Sequence, residues 1–137
     1  MYSSLIHFVT SFLALIFIFS GIFFLILSVY NNKPYIRKTA MVLFILNGIF
    51  ITIASAFGGV SISRFKELPG VKESEVSYHA WTAMIAFLLS VFLLIYAIRD
   101  LRKSSSPKLN FVFFMLSFLV IAFFCWTLIV AFKMGPA

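Results

Sequence analysis

The chain has 137 residues, of which 63% are hydrophobic and only 11% charged, with a formal net charge of +7. A soluble domain carries about 25% charged residues and an apolar share near 45–50%, so a water-soluble fold of this size would expose more apolar surface than it could bury. A chain this apolar would not stay solvated as a disordered one either. The composition is that of an integral membrane protein, and the basic excess is read through topology rather than as a nucleic-acid footprint.

Charges divide the chain into uncharged stretches. The first, within residues 1–32, is almost wholly apolar from Leu5 to Val29; the others run Thr39–Ser63, Val76–Ile98 and Leu109–Phe132. Each exceeds the roughly 20 residues that cross a hydrocarbon core as a helix. None shows the alternation over about 10 residues that marks a barrel strand. The sequence therefore predicts an all-α, integral membrane four-helix bundle with short loops, a single transmembrane domain over residues 1–137 with helices at about 4–30, 39–62, 77–99 and 108–132. The first span lacks a basic leader and a cleavage pattern and is too long for a signal peptide, so it is expected to be retained.

Three connectors follow. Tyr30–Lys38 contains Asn31-Asn32 and Lys33-Pro34, a turn signal. Ser63–Ser77 contains Pro69-Gly70, and Arg99–Lys108 carries a Ser-Ser-Ser-Pro stop. No internal repeat stands out. Lys33, Arg37, Lys38, Arg99, Arg102, Lys103 and Lys108 lie on one side, against Arg64, Lys66, Lys72 and Lys133 on the other, where Glu67, Glu73 and Glu75 dilute them. The positive-inside rule places loops one and three in the cytoplasm, with both termini and the middle loop outside, which in a bacterial cytoplasmic membrane is the periplasmic side. Tyr2, Tyr78 and Trp81 then fall at the outer interface, with Trp126 somewhat deeper. Tyr30, Tyr35 and Tyr96 fall at the inner one. Asp100, the only aspartate, is read as a loop residue screened by Arg99, Arg102 and Lys103.

Helices in lipid associate through close packing and a few hydrogen bonds, so small and polar residues mark the inward faces. Such stripes are His7, Ser11, Ala14, Gly21 and Ser28 on the first helix, Gly48, Thr52, Ser55 and Gly59 on the second, and His79, Ala83, Ala86, Ser90 and Ala97 on the third. The fourth has Ser117 and Ala122 among bulky Phe and Leu. Asn47 is expected to make an interhelical hydrogen bond, and Cys125, between Phe124 and Trp126, to be a small inert hydrophobe without disulfide or multi-cysteine metal chemistry.

The two histidines lie near the N-terminal ends of odd-numbered helices, hence on the same side and at similar depth. Intramembrane ionisable groups are functional candidates, and two neutral imidazoles facing each other could be the axial ligands of a haem iron. Small residues below them, with Gly58-Gly59 at the same level, would leave room for a macrocycle. Equally, a histidine near the interface can simply bond a carbonyl, a headgroup or water. His7-Phe8, Gly58-Gly59 and Tyr78-His79-Ala80 resemble a bacterial family of predicted four-helix membrane proteins without an established activity, which carries a histidine early in helix one, a glycine late in helix two and a histidine opening helix three. The chain departs from that family's pattern where Phe8, rather than proline, follows His7 and where Val60, rather than aspartate, follows Gly59. More distantly the chain is similar to cytochrome b561-type bundles, whose haem ligands are histidines on different helices.

No Asp or Glu lies inside a span, which argues against proton-coupled transport, and no catalytic or phosphate-binding motif is present. Three readings follow: a non-catalytic accessory or structural subunit of a larger membrane complex or a homo-oligomer; a b-type haem electron-transfer protein using His7 and His79; and a quinone or lipid-ligand site between helices one to three. The ligand or packing face comprises Ser11, Ala14, Asn47, Gly48, Ser55, Gly58, Gly59, Ala83 and Ala86. The expected surroundings are the lipid bilayer, and the only metal foreseen is haem iron.

Overall fold

The computed structural model describes residues 2–103 and 109–133, the side chains of Leu109 and Asn110 excepted. The Ser-Ser-Ser-Pro stop and Lys108, which includes the expected first residue of the fourth helix, lie outside the described residues. Among the described residues there are four helices: α1 (Tyr2–Asn31), α2 (Pro34–Phe65), α3 (Glu73–Arg102) and α4 (Leu109–Lys133). All four are long and apolar enough to cross a membrane. The protein is an integral membrane four-helix bundle.

The helices outrun the uncharged stretches. Arg37, Lys38, Arg64, Arg99 and Arg102 are helical rather than in loops. A charge ends a hydropathy window, but it does not end a helix, whose backbone stays satisfied as it passes through the headgroup region. At 1.5 Å per residue the 30 residues of α1 reach about 45 Å, well beyond a hydrocarbon core of about 30 Å. The first connector shrinks accordingly to Asn32 and Lys33. Asn32 takes the left-handed conformation (φ 47°) and its N–H donates to the Ser28 carbonyl at 3.0 Å, an αL cap that asparagine tolerates. Lys33 is extended and Pro34 opens α2, where its missing N–H costs nothing. The middle connector runs from Lys66 to Lys72 and turns at Gly70 (φ 89°).

Consecutive helices pack antiparallel, and α4 closes the ring on α1 through sparser contacts, leaving α1 and α3 on one diagonal and α2 and α4 on the other. One core cluster gathers Ile18, Leu25, Met41, Phe44, Leu93 and Phe113, and a second gathers Ala14, Ile51, Ala86 and Phe124. The rings of Phe44 and Phe113 stack across the α2–α4 diagonal, centroids 5.9 Å apart and planes 4° from parallel. Phe44 reaches that position because Gly21 has no side chain: a Cβ there would lie 2.7 Å from the ring. Outward faces are aromatic and aliphatic, as lipid requires: Phe8, Phe12, Phe19 and Phe23 on α1, Phe118 and Phe132 on α4. Cys125 is also exposed on this outer face, where it adds little to the packing.

The buried positions reveal an internal repeat that the sequence hides. On α1 they are Thr10, Ala14, Ile18, Gly21, Leu25 and Ser28; on α3 Thr82, Ala86, Ser90, Leu93, Ala97 and Asp100 follow at a constant offset of 72. Ala40, Phe44, Asn47 and Ile51 on α2 match Phe113, Ser117, Val120 and Phe124 on α4 at an offset of 73. The α1–α2 and α3–α4 hairpins are thus related by a pseudo-two-fold axis along the bundle. Only threonine and alanine recur identically along the α1–α3 stripe, so residue identity does not betray the relation.

At the end of the bundle opposite the histidines, Asp100 corrects its reading as a screened loop residue. Its carboxylate is buried on α3, accepting from Arg37 Nε at 2.9 Å and Nη2 at 3.0 Å. This two-pronged pair ties α2 to α3 and fixes their register. Removing one partner of a buried pair leaves an uncompensated charge and costs about 3–5 kcal/mol, whereas apolar replacement of both is far milder. Asp100→Asn is therefore expected to lower unfolding stability in mild detergent by about 3 kcal/mol, and Arg37→Met with Asp100→Leu to recover most of the loss. A single substitution that leaves stability unchanged would contradict the assignment.

Candidate functional site

The histidine end is assembled from both hairpins. His7 and His79 sit on diagonal helices, one turn beyond Thr10 and Thr82, and both are half-buried. Each ring is tied to the second helix of its own hairpin: His7 Nδ1 lies 2.7 Å from the Ala54 carbonyl oxygen, and His79 Nδ1 3.2 Å from that of Thr127. The two acceptors stand at the same offset of 73 as the buried positions of α2 and α4. A carbonyl can only accept, so Nδ1 carries a proton in both rings, and in a neutral ring Nε2 is then the nitrogen with the lone pair.

The threonines repeat the relation. Thr10 Oγ1 donates to the carbonyls of Ile6 and His7, and Thr82 Oγ1 to those of Tyr78 and His79. Each hydroxyl is thereby consumed by its own helix, leaving the imidazoles as the groups with spare capacity. His7 packs directly on α2: a Cβ at Gly58 would come within 2.9 Å of its Nδ1 and Cε1, while Nε2 stands farther off at 3.7 Å. Glycine at position 58 is thus required for the close approach, and Nε2 is the nitrogen turned away from the α2 backbone. At the rim the Trp126 indole N–H donates to the Tyr78 hydroxyl at 3.1 Å, so Trp126 shares the level of Tyr78 rather than lying deeper.

The expected packing face is only partly assembled. Ala14, Gly48 and Ala86 are buried, and Leu94 packs into the space that Gly48 leaves. Ser11, Ser55 and Ala83 are half-buried, and Gly59 faces open space. The inward face of α2 runs instead through Ile51, Ala54, Gly58 and Ser61, because the helix turns 100° per residue and Thr52 and Gly59 fall outside that arc. Asn47 makes no interhelical hydrogen bond. It is fully buried, and among the described residues neither its amide nitrogen nor its carbonyl oxygen has a partner; the hydroxyls of Ser90 and Ser117, also fully buried, have none there either. Asn47 and Ser90 each lie ten residues from the Arg37–Asp100 pair along their helices, about 15 Å, so the unpaired groups form a polar layer midway through the bundle.

The residues missed by sequence reasoning are the two threonines and the two carbonyls. The threonines had a legible signal, since His-x-x-Thr occurs at both His7-Phe8-Val9-Thr10 and His79-Ala80-Trp81-Thr82. The carbonyls had none, because any residue supplies one. Among the described residues no group of three or more His, Cys, Asp or Glu side chains could hold a metal ion. Two imidazoles suffice only for a metal that brings its remaining ligands with it. Comparison with protein-family models, with curated proteins and with solved structures finds no match.

Two measurements check this geometry. Gly58→Val is expected to push His7 off α2, so that imidazole ¹⁵N NMR loses the hydrogen-bonded Nδ1–H signal of His7 and retains that of His79; retention of both would show that the ring is not seated on Gly58. Replacing an unpaired buried amide by an apolar group of similar size is near neutral or stabilising, so Asn47→Leu is expected to keep or raise stability by up to about 1 kcal/mol, and a clear loss would reveal a partner for Asn47.

Proposed function

We propose that this chain is a b-type haem protein of electron transfer, in which His7 and His79 would hold the haem. The observation that carries the reading is the symmetric tethering of both imidazoles by Nδ1, on diagonal helices that do not pack on each other, with both Nε2 atoms uncommitted. Ligating histidines characteristically donate the other ring N–H to a backbone carbonyl or carboxylate, which fixes tautomer and orientation and raises ligand basicity. The donor set suits a tetrapyrrole iron, which needs two protein ligands, and does not suit a bare ion.

When bound, the haem supplies one-electron redox chemistry. The chain's own contribution is to bind and to exclude. The Ala54 and Thr127 carbonyls hold the rings, Gly58 gives His7 its seat, and Ala14, Ile51, Ala86 and Phe124 pack as an apolar cluster below them. The charge distribution supports placing the histidine end, both termini and the middle connector on the outer side of a bacterial cytoplasmic membrane, with the basic end inside.

A second reading, that of an accessory subunit, is favoured by one observation: Phe8, Phe12, Phe19 and Phe23 form an exposed aromatic row along α1 on which a partner helix could pack as readily as lipid. Both readings are tested on one preparation. The chain purified in mild detergent from a haem-sufficient host is expected to show a Soret band, a low-spin reduced-minus-oxidised spectrum and a pyridine haemochrome of b type. His7→Ala and His79→Ala are each expected to abolish the spectrum while leaving the particle folded. A colourless wild-type particle overturns the proposal. A second polypeptide at fixed stoichiometry with that colourless particle would support the accessory reading instead.

A further inference from the structure

At the end of the bundle opposite the histidines, a cavity of about 170 Å³ is lined by Tyr96, Arg99, Asp100 and Lys103. We infer that it is a binding site for a phosphate-bearing anion, supplied by the headgroup of an acidic phospholipid or by a soluble phosphate.

The argument starts from which of the lining charges are already spent. Asp100 is occupied by Arg37 through both carboxylate oxygens, so the only acidic wall of the cavity presents a neutralised pair. Among the described residues, neither the Arg99 guanidinium nor the Lys103 ammonium has a hydrogen bond or an ion pair, and both side chains are exposed. The C-terminal end of α3 offsets roughly half a charge, which leaves about one and a half positive charges on the exposed side chains that border the cavity. Tyr96 and Arg99, three positions apart, share one face of α3, and Lys103 follows as the extended residue that caps the helix. The half-buried Tyr96 packs its ring edge against Phe113 (centroids 6.5 Å apart, 79° between planes). Its phenol makes no hydrogen bond among the described residues and can donate to an anion.

The site also lies at headgroup depth. It runs from Tyr96 to the end of α3, the stretch over which Tyr96, Ala97 and Leu101 form the last contacts of α3 with the core cluster. Arginine and lysine stems pass along apolar surface there while their heads reach the polar layer. A phosphate fits such a position through the fork of Arg99 and the point charge of Lys103.

The test is native mass spectrometry of the full chain in detergent micelles, titrated with dioleoyl phosphatidylglycerol, dioleoyl phosphatidylcholine and inorganic phosphate as probes. Each basic residue near a surface is worth about a five-fold change in affinity for acidic lipid. Arg99→Gln with Lys103→Gln is therefore expected to weaken phosphatidylglycerol binding about 25-fold, and Tyr96→Phe to weaken it by a smaller factor. Lys33→Gln with Lys38→Gln, cations of the same end that do not line the cavity, is expected to leave binding unchanged. Phosphatidylglycerol binding that millimolar phosphate does not displace identifies the lipid as the source; displacement identifies soluble phosphate. Equal affinity for phosphatidylcholine, or an equal loss with the Lys33 and Lys38 variants, overturns the site in favour of unspecific attraction to a basic surface. Because Arg99 and Lys103 are exposed, the variants fold, and loss of the haem spectrum is not expected in any of them.

Discussion

Inside a bilayer, apolar side chains gain almost nothing by facing one another rather than lipid, so a bundle is held by close contact and by the few polar ties it can make. That constraint organises this molecule. With 63% of its residues hydrophobic, the chain has a great excess of groups that do not choose between neighbour and solvent. What fixes the arrangement is a short set of directional contacts between helices: His7 to the Ala54 carbonyl, His79 to the Thr127 carbonyl, Arg37 to Asp100, and Trp126 to Tyr78. Glycines admit the side chains that need to come closest. Gly58 seats His7 and Gly21 seats Phe44, so the same residue type serves a polar tie at one end and an aromatic stack near the middle.

The ties are unequal. Those of the histidine end join helices within a hairpin, α1 to α2 and α3 to α4, while the ion pair joins the hairpins to each other through α2 and α3. Neither histidine bond draws α1 toward α3. Beneath the rings, Ala14, Ile51, Ala86 and Phe124 pack together as a buried cluster drawn from all four helices. The contrast with the middle of the bundle is instructive: Asn47, Ser90 and Ser117 reach full burial without partners, a cost of about 1–3 kcal/mol for each group left dry. Polar atoms here are thus not uniformly placed for stability, and those at the histidine end are the ones whose geometry is specified.

Much of the architecture was legible in the sequence, because four long uncharged stretches leave lipid-spanning helices as the only backbone-satisfying solution. The helix ends were less so, since Arg37 and Arg102 interrupt hydropathy without interrupting the helix. The site was half legible. Two histidines on odd-numbered helices share a side by counting alone, and Gly58 was singled out with them. Asp100 was misread because its sequence neighbours are basic, whereas its partner is 63 positions away. Sequence proximity is a poor guide where helices of 30 residues bring distant segments level. Gly59 and Thr52 failed for a related reason: stripes drawn by small residues follow composition, and the buried arc of α2 follows the neighbouring helices.

The pseudo-two-fold relation separates the two ends of the molecule. At the histidine end it is kept in chemistry as well as position, with His7 and His79, Thr10 and Thr82, and two carbonyl acceptors in matching places. Towards the other end it is kept in position and lost in chemistry: Leu25 corresponds to Ala97, and Ser28 occupies the place that Asp100 holds in the second hairpin. Ser28 spends its hydroxyl on the Leu25 carbonyl, while Asp100 crosses to another helix. A structural tie needs no counterpart, as the single Arg37–Asp100 pair demonstrates, and histidine–carbonyl bonds serving only to join helices could have diverged as freely. A ligand lying on the axis between the hairpins makes the same demand on both, and would keep alike the residues that meet it.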